Sequence, residues 1–199
     1  MENKILGLFV YSDKLKFNEI EKALKTRSNK LDYHLKKLIR KEVLIKSGAT
    51  YSLSKSSEYL IPYSSEKKAV LPVILIHIGT SKNVFLVKRE KRPYKGKLSL
   101  PGGRLILGES IEGAVKRIMK DKYNISCKLK QTHSISLEHI QKSGKIINSF
   151  LLIFVSASAK DVEMSDIDKQ RNKIIKSDYY LLKNNLELKV KLDNIYSKE

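Results

Sequence analysis

The segment from Gly102 to Ile125, GGRLILGESIEGAVKRIMKDKYNI, constrains what this chain can fold into more than any other stretch. Its paired glycines, Gly102 and Gly103, permit a tight turn out of a strand, and Gly108 sets the loop that follows. Beyond them Ile111, Ala114, Val115, Ile118 and Met119 recur at helical spacing, which predicts an amphipathic helix over SIEGAVKRIMKDKY. The flanks read as strands. AVLPVILIHI is a nearly continuous apolar run suited to a strand buried on both faces, NVFLVKRE reads as its partner, and KIINSFLLIFVSAS is a third strong strand signal. Strands, a helix and further strands predict a mixed sheet with helices packed on it, and a second helix is predicted near NLELKVKLDNIYSK.

Upstream the periodicity is helical. Ile5, Leu6, Leu8, Phe9 and Val10 predict a short first helix, and Phe17, Ile20, Ala23 and Leu24 a second. A third follows in NKLDYHLKKLIRKEVL, with Leu31, Leu35, Leu38 and Ile39 on one face and Ser28 as its N-cap. VLIK and TYSLS flank Ser47-Gly48-Ala49 as two short strands around a turn, and residues 54 to 61 suit another helical turn or two. Pro62 and the polar run SSEKK mark a seam, which divides the chain into domains 1–66 and 67–199.

Composition narrows the class of partner. The chain has 199 residues, with 40 Lys and Arg against 21 Asp and Glu, a formal net charge of +19. That excess favours polyanions, although an AT-rich coding bias toward lysine is a competing explanation for part of it. Residues 67–199 hold 27 basic and 13 acidic side chains, so the surplus is not confined to the first domain. Cys127 is the only cysteine, which excludes a disulfide framework and a cysteine-based zinc site. No apolar run approaches the roughly 20 residues that span a bilayer, and the N-terminus does not read as a signal peptide. A cytoplasmic protein with no membrane partner is expected.

The first 66 residues resemble a winged helix-turn-helix module, through SNKLDYHLKKLIRKEVLIKSGATYSLS. With the third helix's leucines inward, Asn29, Lys30, Tyr33, Lys36, Lys37 and Arg40 lie outward, where Asn, Lys and Tyr can reach base edges in a major groove. Arg27, Ser28 and Lys46 complete the set expected to touch double-stranded DNA. The competing reading is a solvated basic face on a protein-interaction module. His34 could contact DNA or pack under the wing.

Residues 69 to 196 resemble the Nudix superfamily, through LPGGRLILGES and the helix after it. The family's box runs G-x5-E-x7-R-E-x-x-E-E-x-G. Here Gly103, Glu109 and Arg117 match, but the next three acidic positions fall on Ile118, Asp121 and Lys122, and the closing glycine on Asn124. The resemblance implies a site where those acids would hold divalent metals for hydrolysis of a nucleoside diphosphate derivative. With Ile118 offering no ligand and Lys122 adding a cation, the expectation is a box without metal, cofactor or catalytic residue. A nucleotide such as ADP-ribose would then bind at Arg89, Arg104, Glu109, Asp121 and Lys122, with Lys122 supplying charge in place of the metal. The run KREKRPYKGK, residues 88 to 97, is either a solvated hairpin loop or a contact surface in which Tyr94 stacks on a base. His77, His133 and His139 lack metal-ligand spacing and read as structural.

Together these features predict an α/β (α+β) chain: an N-terminal winged helix-turn-helix, then a Nudix-like mixed-sheet α/β/α domain. The expected function is a homodimeric DNA-binding transcription regulator whose Nudix-like half, a pseudoenzyme, senses a nucleotide. The alternative is an atypical diphosphohydrolase using Glu109, Asp121 and an acid from elsewhere, Glu112 and Glu138 being the nearest spare carboxylates.

Overall fold

The computed structural model describes residues 1–57 and 69–195. The seam at Pro62 and SSEKK, and the later part of the helical turn expected over 54 to 61, lie outside the described residues. The chain forms two compact units, Met1–Ala69 and Val70–Glu199.

The first unit runs α1 (Glu2–Leu8), β1 (Leu15–Lys16), α2 (Phe17–Leu24), α3 (Ser28–Arg40), β2 (Leu44–Ser47) and β3 (Thr50–Leu53), with sheet order β1-β3-β2. Its core is the inward stripe of the three helices, Ile5, Ile20, Leu31, Leu35 and Leu38, closed by Leu44 and Tyr51 of the hairpin. Burying such side chains contributes about 1.5–3 kcal/mol each, and it is what holds helices this short in place. Two details differ from expectation. Helix α1 stops at Leu8, leaving Val10 outside it and exposed. Ser28 is the first residue of α3 rather than its cap; Arg27 holds the cap position, and the Ser28 hydroxyl donates to Glu21 on α2. The serine therefore ties two helices together rather than satisfying the amides of its own.

In the second unit β8 (Gly102–Arg104), β4 (Leu71–His77), β10 (Lys145–Ala159) and β9 (Cys127–Lys142) form one sheet in that order. β4 and β10 are parallel, while β8 and β9 are antiparallel to their neighbours. Alternation along the central strands divides the core. Ile74, Ile76, Ile153 and Val155 face α4 (Ile111–Tyr123), packing on Ala114, Val115, Ile118 and Met119. Leu75, Leu152 and Phe154 face the other way, with Leu181 and Leu182 of α5 (Lys176–Asn184). The second unit is thus a mixed sheet between helices.

Three expectations change here. NVFLVKRE is not one strand: β5 (Asn83–Val84) pairs with β11 (Ser165–Asp166), and β6 (Val87–Lys88) pairs with β7 (Leu98–Ser99). The helix predicted over NLELKVKLDNIYSK is absent among the described residues. Instead Leu188 and Val190 bond to β9, through His133 Nδ1 at 3.0 Å from the Leu188 carbonyl and the Val190 amide donating to Thr132 at 3.0 Å. The helix lies earlier in the chain, over KSDYYLLKN. Strand β9 itself is not among the expected elements, although CKLKQTHSISLEHIQK alternates apolar and polar side chains over much of its length.

Candidate active site

The turn from β8 into α4 is built on close approach. A Cβ at Gly102 would lie 2.5 Å from the Ile74 carbonyl oxygen, and one at Gly103 would lie 2.9 Å from Ile118 Cγ1 and 3.2 Å from Lys122 Nζ. Only glycine lets β8 lie this near both β4 and α4. Ser110 caps the helix by accepting from the Gly113 amide at 3.1 Å. Asn124 closes it in the left-handed region at φ 54, where the Nudix box has glycine. Asparagine tolerates that conformation, so this departure costs the turn little.

Between those ends one ion pair organises the loop. Arg117 Nε and Nη2 both donate to Glu109, the Nη2 contact at 2.8 Å, and Nη2 also reaches the Arg104 carbonyl at 2.9 Å. Glu109 accepts the Ile106 amide as well, at 3.2 Å. The guanidinium holds the Glu109 carboxyl below its usual range, and the carboxylate raises Arg117 in turn. Asp121, one turn beyond Arg117, is exposed and in no ion pair among the described residues. Glu112 is exposed and paired with Lys116 at 2.8 Å.

Lys122 points back across the turn and donates its ammonium to the Gly102 carbonyl. Burial of that end lowers its pKa, and the nearby charges of Arg89, Arg117 and Lys91 push the same way. It lines a cleft of about 970 Å³ whose walls also carry Arg89, Lys91, Arg92, Arg104, Arg117 and Lys142. Among the described residues no carboxylate lines this cleft. The lining reaches Pro93, Tyr94, Asn148 and Phe150, which gives it an apolar and aromatic side.

Beside it lies a recess of about 70 Å³ that shares Arg89, Pro93, Tyr94 and Phe150 with the cleft and adds Glu138 and Asp178. Tyr94 donates its hydroxyl to Glu138 at 3.1 Å, and burial pushes the Tyr94 hydroxyl up to about 12. Asp178 is buried on α5 and accepts the Leu100 amide at 2.8 Å. Loss of water raises its pKa to about 7, with the Glu138 charge adding to the shift. Asp178 carried no signal in sequence beyond its place in a helical stripe. Glu138, one of the two spare carboxylates the sequence offered, is the one brought to this recess, while Glu112 is not.

The fold thus gathers Arg89, Arg104 and Lys122 in one cleft lining, sets Glu109 beneath Arg117, and leaves Asp121 facing solvent. The hairpin 88–97 supplies cleft walls at Arg89, Lys91, Arg92 and Tyr94, so it is more than a solvated loop. The residues at box positions do not fit a divalent cation. Both Glu109 oxygens are engaged, Ile118 is fully buried against Gly103, and Lys122 brings an ammonium. Among the described residues no group of three His, Cys, Asp or Glu side chains could hold a metal ion.

In the first unit Arg27, Asn29, Lys30, Tyr33, Lys36, Arg40 and Lys46 are accessible at the surface, while Ser28 bonds to Glu21. Lys36 pairs with Asp32 at 2.7 Å, Lys37 with Glu2 at 2.7 Å, and Lys46 lies 5.6 Å from the Tyr51 ring centre. Lys37 and Lys41 together hold the Glu2 carboxyl down to about 2. His77 and His133 are buried against Phe154, and His139 meets the Ser149 hydroxyl at 2.8 Å. No helix among the described residues is long and apolar enough to cross a membrane.

The second unit is a mixed sheet between helices, with a glycine turn, a glutamate buttressed by arginine and a cationic cleft on it. Comparison with known proteins agrees. The chain is 30% identical over 121 residues to the ADP-ribose pyrophosphatase of Methanocaldococcus jannaschii, covering 54% of this chain and 71% of that protein. It is 33% identical over 66 residues to putative nudix hydrolase 1 of Caenorhabditis elegans, covering 33% of this chain and 18% of that one. A NUDIX hydrolase structure from Nitrosomonas europaea aligns at 16% identity and a TM-score of 0.45, over 59% of this chain and 70% of the other. No protein-family model matches the chain. The chain belongs to the Nudix hydrolase family.

Membership corrects the function expected from sequence. A DNA-binding transcription regulator with a pseudoenzyme half does not hold, because the relatives carry the names of a pyrophosphatase and a hydrolase and point to an enzyme. Double-stranded DNA has no support as partner from them. The basic face of α3 misled because lysines at helical spacing look alike whether they meet phosphate or, like Lys36 and Lys37, neighbouring carboxylates.

Proposed function

We propose that the chain hydrolyses the diphosphate of a nucleoside diphosphate derivative, with ADP-ribose as the first substrate to test. The observation that carries this is the 30% identity to an ADP-ribose pyrophosphatase over 121 residues. The cationic cleft supports it independently, since a diphosphate is the ligand that a lining of Arg and Lys without carboxylates suits best.

In this reading Arg89, Arg104 and Lys122 bind and orient the diphosphate, and Arg117 fixes the loop through Glu109. Tyr94 and Phe150 offer the apolar side to the nucleoside. Water attacks one phosphorus, the bridging P–O bond breaks, and the products are AMP and ribose 5-phosphate. Cations already oriented along the cleft stabilise the charge that grows on the leaving phosphate. Glu138, which shares the recess with Arg89 and Tyr94, takes the water's proton. Chromatography of ADP-ribose incubated with the full chain tests this. Stoichiometric AMP and ribose 5-phosphate are expected, and an unchanged substrate at high enzyme concentration would overturn it.

We also infer two domains with bounds near 1–66 and 67–199, the first of winged-helix architecture. The order α1-β1-α2-α3-β2-β3 with β1 beside β3 supports that architecture.

A further inference from the structure

A Nudix box normally presents carboxylates at the helix face below its glycine turn, and a divalent ion bridges them to the diphosphate. Here that face carries a fully buried Ile118, a lysine and a solvent-facing Asp121, its one remaining acid, while the one retained glutamate is spent on Arg117 and the Ile106 amide. A second observation points the same way. Seven cations line the cleft without a carboxylate among them, and among the described residues only Arg117 of the seven is paired with an acid. Beside its burial, the positive charges of Arg89, Arg117 and Lys91 disfavour the ammonium of Lys122. Such a cluster is unfavourable alone and becomes favourable when a polyanion enters it. Its donors are partly pre-set. Arg89 Nε is held by the Pro93 carbonyl at 2.9 Å and Lys122 by the Gly102 carbonyl, which leaves the other guanidinium and ammonium hydrogens for a ligand.

We propose that this cleft recognises the diphosphate directly through Lys122 and Arg89, without a divalent metal ion. The ammonium of Lys122, beside the glycine turn, then supplies positive charge at a position where the box pattern has an acid. This deepens the hydrolase reading and rests on it for the identity of the ligand, although the binding it asserts is measured separately. Arginine and lysine contacts to phosphate are charge-assisted, so losing one desolvated contact weakens binding by about tenfold or more.

The test is calorimetric titration of the full chain with α,β-methylene-ADP and with inorganic pyrophosphate, in EDTA and in magnesium. Binding in EDTA at least as tight as in magnesium is expected. K122Q and R89Q should each weaken it by about tenfold or more, with far-UV dichroism melts confirming that both variants fold. Manganese alone provides a second readout: its EPR signal should be unchanged on adding stoichiometric protein. Three results would overturn the proposal: binding that requires magnesium, loss of the manganese signal, or wild-type affinity in both variants. No binding in either buffer would overturn it too. Chelator-insensitive binding without turnover of ADP-ribose would sink the hydrolase reading instead and leave this one standing.

Discussion

Lys122 on α4 donates its ammonium to the backbone carbonyl of Gly102 on β8, so the helix and the strand that frame the turn are joined by a charged hydrogen bond. Its reach is possible because nothing projects from Gly103: a Cβ there would stand 3.2 Å from the ammonium nitrogen. Glycine turn and lysine are one device, the first clearing the path that the second takes. A glutamate at position 122 would face the same carbonyl with repulsion.

The glycines should rank in a definite order. A methyl group at Gly102 meets backbone, the Ile74 carbonyl at 2.5 Å, which cannot move without shifting β4. At Gly103 it meets the end of Ile118, which can give way. G103A is expected to cost about 1–3 kcal/mol and G102A more, in the range of severe overpacking. Urea unfolding of the two variants compares them, and the reverse order would mean that the strand yields more readily than the core side chain.

Asp178 predicts an unusual pH profile. Its carboxyl is raised from an ordinary 3.8 to about 7 by burial. Between those values the folded chain holds a proton that the unfolded chain has lost, so stability falls as pH rises from about 4 to 7. D178N keeps the acceptor for the Leu100 amide and removes the charge. At pH 8 it should gain roughly 1–4 kcal/mol over wild type, and at pH 4 it should match it within about 0.5 kcal/mol. Urea unfolding at both pH values is decisive, and an unchanged slope would remove the Asp178 charge as the cause.

Much of the fold was legible because its signals are local. The period of α4 and the apolar runs of β4 and β10 describe their own burial, and Gly102 and Gly103 announce a close approach that the fold makes. What failed depended on partners distant in sequence. NLELKVKLDNIYSK reads as a helix, but the carbonyl of Thr132 takes the Val190 amide, and no local pattern reveals that. The site divides the same way. Arg89, Arg104 and Lys122 stood out as cations near the box and Glu138 as a spare carboxylate, while Asp178 lies 84 residues from Tyr94 and joins its recess only through the packing of α5. The correction to the function rests on relatives the sequence alone does not name: departures from the box at Ile118 and Lys122 read as lost activity, while the related proteins carry hydrolase names.

Glu109 should matter to the loop before it matters to chemistry. It receives Arg117 and the Ile106 amide, so E109Q removes the charge that orients both. Hydrogen exchange at Ile106 and its neighbours should quicken by about tenfold, the equivalent of one charge-assisted hydrogen bond. Because Arg117 lowers the Glu109 pKa, wild type keeps this protection above the ordinary carboxylate range and loses it as pH falls through the lowered value. Equal exchange in E109Q and wild type at neutral pH would show that the glycine turn alone holds the loop.

Glu138 separates binding from turnover. It lies on β9, half-buried, with Tyr94 donating to one oxygen and the other free of any side-chain donor among the described residues. As acceptor of the water's proton it acts only as the P–O bond breaks, so its loss should appear in kcat and leave KM nearly alone. E138Q retains an oxygen for the Tyr94 hydroxyl, which preserves the hairpin wall. With ADP-ribose, kcat should fall by about 10²–10⁴-fold while KM stays within about twofold. Y94F is the control for a merely structural role: it removes the same hydrogen bond but no base, and its kcat should fall far less than that of E138Q. If both variants lose activity equally, Glu138 positions the hairpin and the proton acceptor lies elsewhere.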